Sequence, residues 1–145
     1  MYDEPLPLMA GCYTNPHTHR WAETVAAFDG FVFVPPEHNH APPAVLNNAL
    51  DYLFAEWNDE ACGFISCGMT GCGVRAVEHL RLVAAELRMA DVRSQVTLSL
   101  TDDWTDHPDP KTFSPCHLQA RDVHTTIDQI TACAPALRTL RNPSA

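Results

Sequence analysis

Two short segments of the sequence carry the residue types from which a ligand site is usually built. Each directly follows an apolar run, and they read Pro35-Pro36-Glu37-His38-Asn39-His40 and Gly68-Met69-Thr70-Gly71-Cys72-Gly73. The first offers side chains that make directed hydrogen bonds, and the glycines of the second let a ligand approach the backbone closely. Because ligands of open parallel sheets bind beyond the carboxyl ends of the strands, these turns are the candidate site. The alternative is that both are simply tight strand-to-helix turns.

Hydrophobic periodicity predicts the elements that position these two turns. Helical spacing of apolar residues and short apolar runs predict helices at 17–28, 45–57, 74–89 and 115–140, and strands at 31–34, 62–67 and 92–100. Strands that alternate with helices in this way form a parallel sheet with helices on both faces. The sequence therefore predicts an α/β protein with three layers, α/β/α.

The ends of the chain are predicted to be less regular. We expect one domain over residues 1–145, with an irregular segment at 1–16 and a polar loop at 101–114. The acidic side chains of this loop are expected to be solvated: Asp102, Asp103 and Asp106.

The last helix has a start signal and an apolar stripe. Ser114 is its expected N-cap, Pro115 suits its first turn, and Pro135 is expected to end or kink it. Its core-facing stripe is predicted to be Val123, Ile127, Ile130 and Ala134.

The composition excludes several classes of protein. In 145 residues, 9 basic against 18 acidic side chains give a net charge of −9, which argues against sequence-independent binding to nucleic acid or anionic lipid. No apolar run reaches the ~18 residues that a membrane helix needs, and the first residues lack a signal-peptide pattern. We therefore expect a cytoplasmic protein, without membrane or nucleic-acid partners, whose six cysteines are reduced thiols.

Closely spaced histidines and cysteines raise the possibility of a metal site. His17 and His19, like His38 and His40, are two residues apart, and three of the cysteines are spaced by five. Neither spacing supplies a tetrahedral set of ligands, and the usual short spacing between paired zinc-binding cysteines is absent. We expect no metal site.

The two candidate turns resemble signatures of a known family. Residues 31–51, FVFVPPEHNHAPPAVLNNALD, are similar to the FVTPEYNHSxPAxLKNALD pattern of the NADPH-dependent FMN reductases. Residues 67–76, CGMTGCGVRA, resemble the YGxxGGxRA pattern of that family's second flavin loop. The resemblance extends from about Leu6 to Leu100, and more loosely through the last helix.

The resemblance implies a flavodoxin-like fold, FMN as cofactor and NADPH as hydride donor. The flavin would pass electrons on to a small-molecule acceptor such as a flavin, a quinone or a small electrophile. Because the cofactor does the chemistry, no acid, base or nucleophile of the chain is required. The resemblance places eight residues around the flavin ring: Pro36, Glu37, His38, Asn39, Gly68, Met69, Thr70 and Gly71. It also implies a homodimer that buries helices 45–57 and 74–87.

The sequence departs from the family pattern in its first part. Flavodoxin-like reductases begin with a strand and a phosphate-binding Gly-Ser-x-Arg turn, but this chain has no Gly-Ser dipeptide and no serine before Ser66. The chain is thus expected to be an N-terminally truncated version of the fold. Losing two or three charged hydrogen bonds would cost ~3 to 9 kcal/mol, or roughly two to six powers of ten in FMN affinity.

Truncation leaves a second function and three association states open. A flavin-free paralogue that acts as a dimerising or interaction module would have the same sequence features. Without a preceding strand, residues 31–34 would form an open sheet edge, which favours open-ended association. A closed dimer would indicate the helix interface, and a stable monomer would indicate that residues 2–9 fill the missing place.

Overall fold

A computed structural model describes residues 1–105 and 112–141 of the chain. The helices are α1 (Pro16–Ala26), α2 (Ala44–Leu50), α3 (Val74–Glu86) and α4 (His117–Arg141), and short 3₁₀ turns occur at Leu8–Ala10 and Ala55–Trp57. The strands are β1 (Gly30–Phe33), β2 (Ala61–Gly68), β3 (Ala90–Ser99), β4 (Trp104–Thr105) and β5 (Thr112–Phe113). None of the helices in these two ranges is long and apolar enough to cross a membrane.

The three long strands form one parallel sheet in the order β1-β2-β3. Gly30 pairs with Ala61 and Ala61 with Ala90, so the strands begin level and their carboxyl ends meet at one edge. Helices α1, α2 and α3 pack on one face and α4 packs on the other. The α/β/α architecture expected from the alternation of elements is therefore confirmed.

Aromatic side chains fill the core on the first face. The Trp57 ring lies 5.2 Å from Phe31 and 5.9 Å from Trp21, and Phe33 stacks on Phe64 at 5.9 Å. Large aromatic residues remove the most apolar surface from water and so contribute most to such a core. This cluster packs α1, the 3₁₀ turn at Ala55–Trp57, β1 and β2 together.

The helix predicted over residues 45–57 is wrong in its second half, because α2 ends at Leu50. The Trp21 indole donates to Ala49 O at 2.9 Å, and the Trp57 indole donates to Leu50 O at 3.1 Å. In a continuing helix these carbonyls would accept from residues 53 and 54. The break turns Leu53 and Trp57 into the core, where both are fully buried.

Helix α4 lies close to the second face because the sheet offers glycine there. A Cβ at Gly63 would lie 2.8 Å from Thr126 Cγ2 and 2.9 Å from Ile130 Cδ1. Thr126 is accordingly buried and donates to Asp122 O, whereas Ile127 is exposed, so its predicted place in the apolar stripe is wrong. The space left by Gly63, and not hydrophobicity alone, therefore determines which side of α4 packs against the sheet.

The two ends of α4 also differ from expectation. The Cys116 N–H donates to Gln119 Oε1 at 2.7 Å, so the helix begins at His117 and Ser114 is not its N-cap. The helix continues through Pro135 to Arg141. Arg138 and Arg141 both pair with Asp29, which fixes the last turns and explains why the proline does not end the helix.

Strand β1 is less covered than its apolar sequence predicts. Val34, directly after the strand, is 63% exposed, and Val32 is also partly exposed. Helix α4 packs chiefly on β2 and β3, so the outer part of this face has no cover among the described residues. Residues 2–9 do not add a strand beside β1.

The segments expected to be irregular contain some order. Glu4 accepts hydrogen bonds from the Thr14 and Asn15 N–H groups at 2.8 and 3.0 Å, which anchors the chain at the start of α1. Burial acts to raise the pKa of Glu4, but the hydroxyl and N–H donors around it outweigh this and hold it at about 2. In the polar loop, β4 pairs with β5, and the Trp104 and Phe113 rings lie 4.6 Å apart. Asp106 lies outside the described residues.

We expect Leu53→Ala to lower the free energy of unfolding by about 2–5 kcal/mol, because it leaves a cavity in the aromatic core. The matched control is Leu82→Ala on α3, where the leucine is 74% exposed. This control is expected to change stability by no more than about 0.5 kcal/mol. Urea unfolding measures both, and equal effects would contradict the burial of Leu53 in the aromatic core.

Candidate functional site

The two candidate turns lie side by side at the carboxyl edge of the sheet. The Cys67 N–H donates to Pro35 O at 3.2 Å, and the Glu37 N–H donates to Cys67 O at 2.9 Å. The ladder between β1 and β2 therefore continues into the first turn, residues 35–40. This extension fixes the first turn against the second turn, residues 68–73.

The first turn folds back on itself. His38 and Ala41 exchange backbone hydrogen bonds of 2.9 and 3.0 Å, and the two residues between them have positive φ, 51° at Asn39 and 67° at His40. Two successive positive φ angles define a type I′ turn, for which asparagine is well suited. His38, Asn39 and His40 are all exposed at the sheet edge.

The second turn is compact because two of its glycines lie against backbone. A Cβ at Gly68 would lie 2.8 Å from Gly73 N, and one at Gly73 would lie 2.9 Å from Cys67 N. The Ser66 hydroxyl donates to Cys72 O at 2.8 Å and holds the turn over the end of β2. Met69 and Thr70 at its tip are exposed.

An ion pair between Glu37 and Arg75 joins the first turn to the start of α3. The Glu37 side chain is only 6% exposed and accepts from Arg75 Nε at 2.7 Å and from the Arg75 N–H at 3.2 Å. The Arg75 hydrogen bond lowers the pKa of Glu37, although burial acts to raise it. The carboxylate is thus engaged within the protein, and Glu37 acts as a positioning residue for both turns.

A third segment after β3 supports the second turn. The Leu100 N–H donates to Gly68 O at 2.9 Å. Asp103 is buried and accepts from the Ser99 N–H and from Gln119 Nε2, each at 2.6 Å. The expectation that Asp103 is solvated is therefore wrong, because its carboxylate closes the turn and connects it to α4.

The two turns present unpaired backbone donors. The N–H groups of Asn39, Met69, Thr70 and Gly71 have no acceptor among the described residues. Backbone N–H groups at a rigid edge can bind a planar heterocycle that offers carbonyl and ring-nitrogen acceptors. The two turns therefore supply hydrogen-bond donors of the kind that such a ligand requires.

The structure brings all eight predicted site residues together in these two turns. The sequence did not reveal the partners that hold them, Arg75 and Asp103. Arg75 falls within the resemblance at residues 67–76, but only the folded chain shows that it binds Glu37.

The other chemistry-bearing residues are dispersed. No group of three or more potential metal ligands occurs within residues 1–105 and 112–141. His17 instead pairs with Asp3 at 3.0 Å. All six cysteines are free thiols, and burial raises the pKa of Cys62 to about 12.

The parallel sheet, its flanking helices and the turns at its carboxyl edge define a flavodoxin-like α/β protein. The family described as NADPH-dependent FMN reductase matches residues 1–103. The chain belongs to this family.

Three relatives illustrate the match. An NAD(P)H-dependent FMN reductase of Schizosaccharomyces pombe is 43% identical over 105 residues, which are 71% of this chain and 52% of that protein. One of Saccharomyces cerevisiae is 36% identical over 53% of this chain and 40% of its own length. A 2-hydroxy-1,4-benzoquinone reductase of Burkholderia sp. is 32% identical over 59% of this chain and 46% of its own. The chain thus spans about half the length of the curated relatives it matches.

A solved structure shares the fold. An NADH:FMN oxidoreductase in its apo form superposes with a TM-score of 0.62 at 17% identity, covering 88% of this chain and 65% of the other. This similarity shows the flavodoxin-like architecture.

We expect the Glu37–Arg75 pair to make stability depend on pH. Because the folded pKa of Glu37 lies below its ordinary value of 4.5, its contribution is present above that value and is lost as the pH falls through the lowered pKa. Wild type should therefore lose more stability than Glu37→Gln between about pH 6 and about pH 3. Glu78→Gln, at an exposed position on α3, is the control and should follow wild type in thermal unfolding. Parallel curves for all three proteins would contradict the pairing.

Proposed function

We propose that this protein is an NAD(P)H-dependent FMN reductase that passes electrons to a small-molecule acceptor. The observation that carries the proposal is the pair of adjacent turns with unpaired N–H groups at the carboxyl edge, in a chain of this family. FMN, when bound, supplies the chemistry, since it takes a hydride from NADPH and gives electrons to the acceptor. Overall, NADPH becomes NADP⁺ and a quinone acceptor gains two electrons and two protons.

The residues of the chain would bind and orient the flavin ring. The N–H groups of Asn39, Met69, Thr70 and Gly71, which have no partner among the described residues, would donate to acceptors on the ring edge. Pro36, His38 and the Cα of Gly68 would border the ring, and Glu37 would hold the two turns in register through Arg75. None of these roles requires an acid, a base or a nucleophile.

The proposal includes a homodimer formed by the helices on the first face. An apolar groove of about 270 Å³ is lined by Trp21, Val45, Ala49 and Tyr52, and Val45 is 75% exposed. An exposed apolar groove of this kind supports a protein interface. The same groove also supports the second candidate function, a flavin-free interaction module.

The proposal places the protein in the cytoplasm. Six free thiols, three of them exposed (Cys12, Cys116 and Cys133), are compatible with a reducing compartment. NADPH rather than NADH is proposed as donor on the family description alone.

We expect the 145-residue chain to bind FMN and riboflavin with dissociation constants that agree within about threefold. The two turns contact the ring, and the chain has no Gly-Ser turn for the phosphate. Quenching of flavin fluorescence measures both affinities. No saturable binding of either flavin would favour the interaction module, and a submicromolar affinity for FMN alone would show that residues elsewhere hold the phosphate.

Substitutions in the second turn test the ring position. Met69, half-exposed at the tip, should contact the ring, so we expect Met69→Ala to weaken flavin binding about three- to tenfold. Met9→Ala, at an exposed methionine in the N-terminal segment, is the matched control and should bind like wild type. Equal affinities for both variants would place the ring elsewhere.

For the dimer, we expect Val45→Glu to shift the protein to monomer in sedimentation velocity, because a charge would be buried at the interface. Leu140→Glu, at an exposed leucine of α4, should remain dimeric. Species that grow with concentration in both variants would instead indicate association through the β1 edge.

A further inference from the structure

A small apolar pocket lies on the second face of the sheet, directly below the second turn. It has a volume of about 180 Å³, and its lining includes Ile65, Val96, Leu98, Phe113, Ala120 and Val123. Ile65 pairs with Val96, Cys67 with Leu98 and Gly68 with Ser99 along the β2–β3 ladder. The pocket therefore reaches within one or two residues of the carboxyl edge where the candidate turns lie.

The lining offers a ligand almost no hydrogen bonds. Its one amide side chain, Gln119, donates from Nε2 to Thr97 O at 3.1 Å and to Asp103 Oδ2 at 2.6 Å. Its Oε1 accepts from the Cys116 N–H. An apolar pocket of about this size can hold a benzene-sized ring.

The outer wall of the pocket is aromatic and held in place. Phe113 is 48% exposed and lies 4.6 Å from Trp104, ring centre to ring centre. The Ser114 N–H donates to the backbone carbonyl of Asp103 at 2.8 Å, which ties this wall to the segment after β3. A ligand ring in the pocket would thus lie against Phe113 with aliphatic side chains on its other sides.

We propose that this pocket binds the hydrocarbon ring of a fused aromatic molecule, whose second ring and oxygen atoms remain at the polar carboxyl edge. A single-ring quinone would have to place an unpaired carbonyl in the apolar lining, which is unfavourable. The pocket therefore selects bicyclic molecules of the naphthol and naphthoquinone type over monocyclic ones. The use of the pocket by an electron acceptor rests on the proposed function, whereas binding of the ring does not.

The test uses 1-naphthol and the flavin-free 145-residue protein. This probe has one hydrocarbon ring and one hydroxyl-bearing ring, and it is not an electrophile, so the six free thiols do not react with it. Ligand-observed NMR or calorimetry measures its affinity. Saturable binding is expected for wild type, and phenol is expected to bind at least tenfold more weakly.

Ala120→Leu fills the pocket from α4 and is expected to weaken 1-naphthol binding at least tenfold, while Ala132→Leu, at an exposed position further along α4, should stay within about twofold of wild type. Phe113→Ala removes the outer wall of the pocket and should also weaken 1-naphthol binding. Because it adds no atoms, its effect tests the pocket even if Ala120→Leu disturbs the packing of α4. The absence of saturable binding by wild type, or equal affinities for wild type, Ala120→Leu and Phe113→Ala, would overturn the proposal.

FMN affinity measured on the same samples separates this inference from the proposed function. If wild type binds 1-naphthol and Ala120→Leu does not, the pocket is established whether or not FMN binds. If wild type does not bind FMN, the proposed function is contradicted and the pocket assignment is unchanged.

Discussion

The candidate site depends on the contact that joins two separate turns at one edge of the sheet. The Glu37 N–H extends the β1–β2 ladder to Cys67 O, and the Glu37 carboxylate then binds Arg75 at the start of α3. A buried carboxylate is stable only with such partners, so the same residue must hold both turns in one arrangement. Gly68 and Gly73 allow the second turn to lie close enough for this contact. Turns that are already held in one arrangement add little entropic cost to ligand binding.

The opposite edge of the sheet is held by a different set of charges. Arg141 connects Asp29, before β1, to Glu60, before β2, and thereby ties the end of α4 to two strands. Burial raises the pKa of Glu60 to about 7 although Arg141 acts to lower it. Folding therefore favours proton uptake at Glu60, and this contribution to stability decreases as the pH rises from 4.5 towards 7. The contribution of the Glu37–Arg75 pair to stability instead increases as the pH rises, because the pKa of Glu37 is lowered. The charges at the two edges of the sheet therefore change stability with pH in opposite directions.

Most of the fold could be predicted from the sequence, because the spacing of apolar residues and the glycines and prolines that end helices and strands are local properties. The three strands, the helices at 17–28 and 74–89, and the positions of both turns follow from them. The errors arise where tertiary contacts override local pattern. Two indole N–H groups end α2 at Leu50, and glycine in β2 selects Thr126 rather than Ile127 for the interior. The Glu37–Arg75 pair, 38 residues apart in sequence, and the burial of Asp103 have no local signal at all.

The contacts that hold the candidate turns do not involve the outer edge of β1. Glu37 binds Cys67 and Arg75, Gly68 accepts from Leu100, and Asp103 binds Gln119 of α4. The unpaired side of β1 takes no part in this network, and Val34, directly after this strand, is largely exposed. The candidate turns are thus organised by contacts on one side of β1 only. A flavin ring bound at these turns, as proposed, would therefore depend on the β2–β3 side of the sheet and not on the unpaired edge of β1.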